Sequence, residues 1–126
     1  MSFFKNLFST DTVTNDSAIN WIPLTEIEQL NEIIEKSKDK TQAIFKHSTR
    51  CGVSRGVIKK FQNKATIDNA IDFYYLDLLS YRNISNEIAS KFQVIHQSPQ
   101  LLVIEDGVVA AHDSHYDIMS VDLETI

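Results

Sequence analysis

The sequence predicts an α/β fold in which a four-stranded mixed sheet carries helices on both faces. Apolar residues at helical spacing alternate along the chain with short apolar runs of strand length. The last two runs are joined through Glu105-Asp106-Gly107, and Asp-Gly favours a hairpin because both turn residues tolerate positive φ. The 126 residues are enough for one domain with a core and too few for two ordinary domains.

Each element is placed from its own pattern. Ordered structure is expected to begin at Trp21, and Thr25 with Glu28 forms a capping box that starts the first helix. The predicted order is α-β-α-β-α-β-β-α, in which a βαβ half with a parallel pair precedes a ββα half with a hairpin. The elements are a helix at 26–38, a strand at 41–46, a helix at 51–63, a strand at 70–76, a helix on Ile84, Ile88 and Phe92 capped by Asn83, hairpin strands at 101–104 and 108–111, and a short helix after Ser120.

Composition limits the class of protein. With 43% hydrophobic and 23% charged residues the chain resembles a soluble globular protein, and its net charge of −5 argues against a nucleic-acid partner. A single cysteine excludes a disulfide-stapled secreted scaffold and fits a reducing cytosol. No run approaches the roughly 18 apolar residues of a membrane span. We expect a cytoplasmic protein with a short leader at 1–20 and one domain at 21–126.

The single cysteine, Cys51, lies where a strand passes into a helix. An apolar run at 43–45 ends shortly before it, and Val53, Val57 and Phe61 begin a helical spacing just after it. A thiol at a helix N-terminus is favoured as the thiolate by the positive end of the helix dipole and by unpaired backbone N–H groups. Since the chain has no second cysteine, any disulfide partner must come from another molecule.

Basic residues surround this cysteine. Residues 40–67 contain no Asp or Glu but hold seven of the 12 Lys and Arg residues. Nearby cations stabilise a thiolate and concentrate anionic partners. On the predicted helix, Lys59, Lys60 and Lys64 are equally consistent with a plain solvated face. Arg50 and Arg55 flank the cysteine more closely in the sequence and are the stronger candidates.

Two further features fit the thioredoxin arrangement, in which a catalytic cysteine begins the helix after the first strand of the motif. Pro99 precedes a predicted strand, where such folds place a cis-proline facing the cysteine; a trans-proline starting an edge strand is the alternative. Ser98 can then offer its backbone N–H and C=O to a thiol ligand. After the hairpin, the polar stretch 112–117 either folds back beside Pro99 and binds a polar ligand or is a capped loop.

Four stretches carry a resemblance to a known family: WIPLT, IFKHSTRCGVS, SPQLLVIEDG and SHYDI. In this order and spacing they resemble the YtxJ family, the monothiol bacilliredoxins of the bacillithiol system, which are small bacterial proteins of thioredoxin-like fold. The similarity runs from Trp21 to about Ile118. It implies that Cys51 is the nucleophile and that Ser54 replaces a resolving cysteine. The residues that we assign to ligand binding are Arg50, Gly52, Val53, Ser98, Pro99, His115 and Asp117.

The resemblance implies a thiol–disulfide oxidoreductase that removes bacillithiol, or a similar small thiol carrying malate and sugar groups, from protein mixed disulfides. No bound cofactor is expected, with bacillithiol as co-substrate, and the partners are this thiol and S-thiolated client proteins. We expect a monomer. Ser54 cannot resolve a disulfide, but its hydroxyl is expected to donate a hydrogen bond to the thiolate. Gly52 departs from the family, in which many members have proline after the cysteine.

Two alternatives remain at this stage. The sequence Cys-Gly-Val-Ser is close to the C-G-F-S of monothiol glutaredoxins, which hold a [2Fe–2S] cluster between two subunits, although Val53 replaces the Phe. The other alternative is a non-enzymatic stress or adaptor domain, because a single cysteine is often only a small buried hydrophobic residue. No resident metal site is expected, since the four histidines are not paired with Cys51 at ligand spacing.

Overall fold

The computed structural model describes residues 19–64 and 70–121. The predicted leader thus lies almost entirely outside the described residues, as does any helix beyond Val121. Within the described ranges no helix is long and apolar enough to cross a membrane. The elements are β1 (Ile22–Pro23), α1 (Glu28–Lys36), β2 (Thr41–His47), α2 (Gly52–Lys64), β3 (Ile71–Asp77), α3 (Arg82–Phe92), β4 (Gln100–Glu105), β5 (Val108–Ser114) and a 3₁₀ helix (His115–Ser120).

The strands form one mixed sheet in the order β1-β3-β2-β4-β5. The central strand β2 pairs in parallel with β3 and antiparallel with β4, and β4 continues into the hairpin with β5. The predicted mixed sheet with helices on both faces is confirmed. The expected number of strands is wrong by one, because β1 adds a parallel edge strand beside β3. A strand of two residues that includes a proline is too short to show any alternation.

Side chains of β2 alternate between two buried layers. Phe45 lies on the face covered by α2, where its ring centroid is 5.6 Å from that of Phe61, which in turn lies 6.1 Å from that of Phe73. Ile44 is buried on the opposite face, with apolar side chains of α1 and α3 such as Leu30. Each such side chain contributes about 1.5–3 kcal/mol through burial. Packing from both sides therefore fixes the strand that leads to Cys51.

The hairpin turn is formed by Asp106 and Gly107, with φ angles of 51° and 80°. The Asp-Gly prediction is confirmed. The turn is also anchored to the end of α1, because Ser37 accepts hydrogen bonds from both turn residues: its carbonyl from the Asp106 N–H at 2.9 Å and its hydroxyl from the Gly107 N–H at 2.8 Å. This contact ties the hairpin half of the sheet to the first helix.

The two predicted helix caps are wrong. Glu28 is the first residue of α1 rather than the third, so it cannot complete a capping box with Thr25; the side-chain oxygen of Gln29 instead accepts a hydrogen bond from the Thr25 N–H at 2.8 Å. Likewise α3 begins at Arg82 without a side-chain cap, which places Asn83 one residue inside the helix. A 3₁₀ helix ends at Ser120, and the short helix predicted after that residue lies outside the described residues.

Candidate active site

Cys51 lies between the C-terminal end of β2 and the first residue of α2. Its backbone N–H donates to the Ser48 carbonyl at 3.2 Å, and its own carbonyl accepts from the Arg55 N–H at 3.0 Å. Its thiol is free and half-buried. The first turn of α2 contains no acidic residue. The positive end of this helix therefore lies beside the sulfur without a neighbouring carboxylate on the same turn.

Ser54 is the third residue of α2 and is buried, and its hydroxyl is hydrogen-bonded to groups other than the sulfur. Its hydroxyl oxygen accepts a hydrogen bond from the Ser48 N–H at 3.1 Å and lies 2.7 Å from His47 Nδ1. The expected hydrogen bond from Ser54 to the Cys51 sulfur is not found in the described part of the chain. The reason is geometric: Ser54 faces β2, so its hydroxyl meets the strand end and the loop. Through these two contacts Ser54 connects the loop before Cys51, and the end of β2, to α2.

His47 is the partner that sequence reasoning missed. Burial lowers the pKa of His47 below its ordinary value of 6.5; Arg55 adds to this and the Asp77 carboxylate opposes it. The imidazole is therefore neutral at neutral pH, and its Nδ1 can accept a hydrogen bond from the Ser54 hydroxyl. The ring also packs on Tyr75, with centroids 5.5 Å apart.

The two arginines that flank the cysteine do different things. Arg55 Nη1 donates to the Thr49 carbonyl at 3.1 Å and so braces the loop. Arg50 is exposed and makes no hydrogen bond or ion pair with the described residues. A Cβ on Gly52 would lie 3.8 Å from Arg55 Nη2, an ordinary contact, so the position can hold a side chain. Val53, two residues after the cysteine, is 37% exposed and adds an apolar side chain to the surface of α2.

The predicted cis peptide bond between Ser98 and Pro99 is confirmed. Pro99 is buried, and the Ser98 hydroxyl is also buried and has no hydrogen-bond partner among the described residues. The Pro99 carbonyl accepts a hydrogen bond from the His115 N–H at 3.0 Å. The polar stretch after the hairpin thus folds back to the Pro99 loop, which is one of the two arrangements that the sequence left open.

The side chains of that stretch are less clearly part of the site. His115 and Asp117 are exposed, and neither side chain is hydrogen-bonded to a described residue. The neighbouring Tyr116 ring lies 5.9 Å from Lys60 Nζ on α2. Lys60 is nine residues from Cys51, or about 14 Å along that helix at 1.5 Å per residue. The observed contacts therefore place the 3₁₀ helix against the middle of α2, and a ligand role for these two side chains stays a prediction.

With this geometry in hand, comparison with known proteins identifies the family. The family model of the monothiol bacilliredoxin BrxC matches residues 22–123. The chain belongs to this family. The resemblance seen in the sequence is confirmed, and the protein is a thiol oxidoreductase of the bacilliredoxin type. No cluster of three or more His, Cys, Asp or Glu side chains suited to a metal occurs among the residues that the structure describes.

Solved structures agree on the fold. A thioredoxin-fold protein proposed to be an oxidoreductase is 34% identical, with a TM-score of 0.67 over 77% of this chain and 84% of that chain. The thioredoxin of Fasciola hepatica is 16% identical, with a TM-score of 0.64 over 78% of this chain and 89% of its own. The thioredoxin of Trypanosoma brucei brucei is also 16% identical, with a TM-score of 0.64 over 86% and 90%. The two thioredoxins support the thioredoxin-like fold alone.

In this bacilliredoxin-family chain, one of the seven basic residues predicted to surround Cys51 is buried rather than exposed. Lys46 is buried on the α1 and α3 side of β2, and its Nζ lies 3.3 Å from the Ser85 carbonyl and 3.3 Å from His96 Nδ1. No carboxylate pairs with it among the described residues. Burial lowers the pKa of Lys46 to about 8. The available signal was a lysine directly after the apolar run Ala43-Ile44-Phe45, within the predicted strand at 41–46. Its contacts join the central strand to α3 and to the segment before Pro99.

Lys46 makes stability depend on pH. Its pKa is about 8 in the folded chain, against an ordinary value of 10.5 for an exposed lysine. Between these values the unfolded chain binds a proton that the folded chain does not, so the free energy of unfolding should rise with pH, by up to about 1.4 kcal/mol per unit. Urea denaturation from about pH 8 to pH 9.5 measures this, below the range in which Tyr74 ionises. The Lys46→Met variant should lack the rise, and an unchanged slope in that variant would contradict the assignment.

Proposed function

We propose that Cys51 removes bacillithiol, or a closely similar small thiol, from mixed disulfides with protein cysteines. The observation that carries this proposal is a half-buried thiol at a helix N-terminus whose resolving position holds Ser54, a buried hydroxyl bound to His47 and Ser48. Such a site can form one disulfide with another molecule and cannot close one of its own. The monothiol bacilliredoxin family match supports the same chemistry.

In the first step the Cys51 thiolate attacks the sulfur of the small thiol in its disulfide with a client protein. A disulfide forms between Cys51 and the small thiol, and the bond from the small thiol to the client breaks. The client cysteine leaves with the electron pair as a thiolate and takes a proton from solvent. The client is thereby reduced and Cys51 is oxidised, so the number of disulfide bonds is unchanged.

In the second step the thiolate of another small thiol attacks the small-thiol sulfur that Cys51 carries. The new bond joins two small thiols, and Cys51 leaves as the thiolate, ready for another cycle. The reductant is thus the small thiol itself. Ser54 takes no part in bond exchange; together with His47 it holds the loop that presents Cys51.

The position of Cys51 in the fold suits a small ligand. Pro99 and the buried Ser98 hydroxyl, which has no partner among the described residues, come from the cis loop, and the small Gly52 and the exposed Val53 begin the helix that follows Cys51. We expect the backbone of Ser98 to align the attacked disulfide in the manner of a strand edge. In this proposal the protein acts as a monomer in the cytoplasm on S-thiolated clients, with no bound cofactor and bacillithiol as co-substrate.

The preference for an anionic small thiol can be tested by comparing a negatively charged with a neutral mixed disulfide. One client protein is prepared as a mixed disulfide with bacillithiol and, separately, with neutral 2-mercaptoethanol. Attack on the bacillithiol disulfide should be about 10-fold faster because cations near Cys51 concentrate an anionic substrate. The advantage should shrink from about 0.1 M to about 1 M salt, as the screening length falls from about 10 Å to about 3 Å. Equal, salt-independent rates would refute the preference for an anionic thiol.

A further inference from the structure

A polar cavity of about 430 Å³ opens between two loops at the end of the sheet that carries Cys51. One loop precedes the cysteine and contributes Thr49 and Arg50; the other joins β3 to α3 and contributes Asp77, Leu79, Ser80 and Arg82. The two loops meet because β2 and β3 are parallel neighbours, so that the C-terminal ends of both strands lie at the same edge of the sheet, the one from which the loops emerge. In open α/β sheets this edge is where ligands bind.

The charges in this cavity are unbalanced. Neither Arg50 nor Arg82 makes a hydrogen bond or an ion pair with a described residue. The carboxylate of Asp77 is already used within its own loop, since Oδ1 accepts from the Leu79 N–H at 3.2 Å and Oδ2 from the Ser80 hydroxyl at 3.0 Å. Two guanidinium groups from different elements therefore line one cavity, and one of their two charges has no counterpart there.

The start of α3 adds to the positive potential. Arg82 is the first residue of that helix, which has no side-chain cap and no acidic residue in its first turn. An uncapped helix N-terminus favours a negative group nearby. The arginine side chain and the helix end thus favour the same kind of ligand on the same side of the cavity.

We infer that this cavity binds the carboxylate-bearing part of the small thiol that Cys51 exchanges, with Arg50 and Arg82 as its anion contacts. The inference rests on the proposed function and names the part of the site that selects its substrate. Guanidinium groups suit carboxylates because they can donate two parallel hydrogen bonds. The volume falls within the range of about 300–1,000 Å³ usual for small-molecule sites. Arg50 directly precedes Cys51 in the chain, and in the inferred binding mode a ligand held by Arg50 presents its sulfur to the thiolate.

The test uses two small reagents matched in size, the 2-pyridyl disulfides of mercaptosuccinate, with two carboxylates, and of thioglycerol, which is neutral. Cys51 attacks the small-thiol sulfur, a disulfide forms between them, and pyridine-2-thione leaves with the electron pair and is followed by its absorbance. In the full-length protein, Arg82→Gln should slow reaction with the mercaptosuccinate reagent about 5-fold at low salt and leave the thioglycerol rate within about 1.5-fold. Arg82→Lys should give an intermediate rate because it keeps the positive charge but cannot donate two parallel hydrogen bonds to one carboxylate.

Lys91→Gln is the matched control, because it removes one positive charge from the other end of α3, about 14 Å from Arg82. It should leave both rates within about 1.5-fold of wild type. Equal slowing of the mercaptosuccinate reagent by Arg82→Gln and Lys91→Gln would overturn the inference, since only the net charge would matter. Equal slowing of both reagents by Arg82→Gln would also overturn it, since the effect would be on the fold of the site.

Failure of the proposed function looks different. In that case wild-type Cys51 would react with both reagents no faster than the urea-unfolded chain does, whatever residue stands at position 82. A third substrate, an acidic peptide with thioglycerol in a disulfide on its cysteine, tests whether the cavity instead binds acidic side chains of a client protein. If Arg82→Gln slows that substrate and not the mercaptosuccinate reagent, the cavity binds acidic side chains of the client, and the inference is wrong.

Discussion

Replacing Cys51 by Ser should abolish thiol exchange, lowering the rate by more than about 1,000-fold, because a hydroxyl cannot replace a thiolate in attack on a disulfide. With an oxidised small thiol, the wild-type protein should form one mixed disulfide per chain and stop there. Cys51 is the only cysteine in the sequence, so the variant has no second thiol to take its place. Intact mass spectrometry measures both outcomes directly.

The serine variant is expected to fold, since the side chain it replaces is half-buried and nearly the same size. Circular dichroism and the midpoint of urea denaturation confirm this before the exchange is measured. An adduct on the folded Cys51→Ser chain would contradict the assignment of the nucleophile. A wild-type product in which two chains share one disulfide and no small thiol is bound would contradict the expected one-to-one mixed disulfide.

The second large effect is expected at Ser54. Ser54→Ala removes the oxygen that accepts the Ser48 N–H and that pairs with His47 Nδ1, and it leaves both groups without that partner. An unsatisfied buried polar group costs about 1–3 kcal/mol, so the free energy of unfolding should fall by about that amount. The adduct at Cys51 should still form, but more slowly, because the loop that presents the thiolate loses its hydrogen bonds to Ser54.

The matched control for this variant is Ser90→Ala, which makes the same substitution at an exposed position of α3. It should change the free energy of unfolding by less than about 0.5 kcal/mol and leave adduct formation unchanged. If Ser54→Ala is as stable as Ser90→Ala and reacts at the wild-type rate, the hydrogen bonds of Ser54 do not position the cysteine. If Ser54→Ala forms no adduct at all while remaining folded, Ser54 acts on the sulfur directly, contrary to the structure.

Local signals predicted much of the fold. Asp106 and Gly107 specify a turn by their tolerance of positive φ, and both adopt it. The spacing from Val53 to Phe61 placed α2 within one residue of its observed ends. The failures are equally physical. β1 was missed because two residues carry no periodicity, and Asn83 was misassigned because a capping residue is defined by where the helix hydrogen bonds begin, which the sequence alone leaves uncertain by a residue or two.

For the candidate site, sequence reasoning named candidate residues but could not foresee all of their contacts. The helical spacing that buries Val57 also turns Ser54 inward, but it does not show that His47 lies at the end of β2 within reach of that hydroxyl. Arg82 could not be recognised from the sequence, because only the pairing of β2 with β3 brings its loop to Arg50. Lys46 could have been noticed, since a lysine within a buried strand demands polar partners.

The most direct test follows the sulfur of bacillithiol and the sulfur of the client cysteine through a single turnover. A client protein carrying bacillithiol on its cysteine is mixed with one equivalent of the reduced protein, quenched by acid and analysed by intact mass. The expected result is transfer of bacillithiol to Cys51 with release of the client as a free thiol, followed by regeneration of Cys51 when bacillithiol is added. Accumulation of a disulfide between Cys51 and the client, with bacillithiol released, or a client that keeps its bacillithiol, would contradict the proposed function.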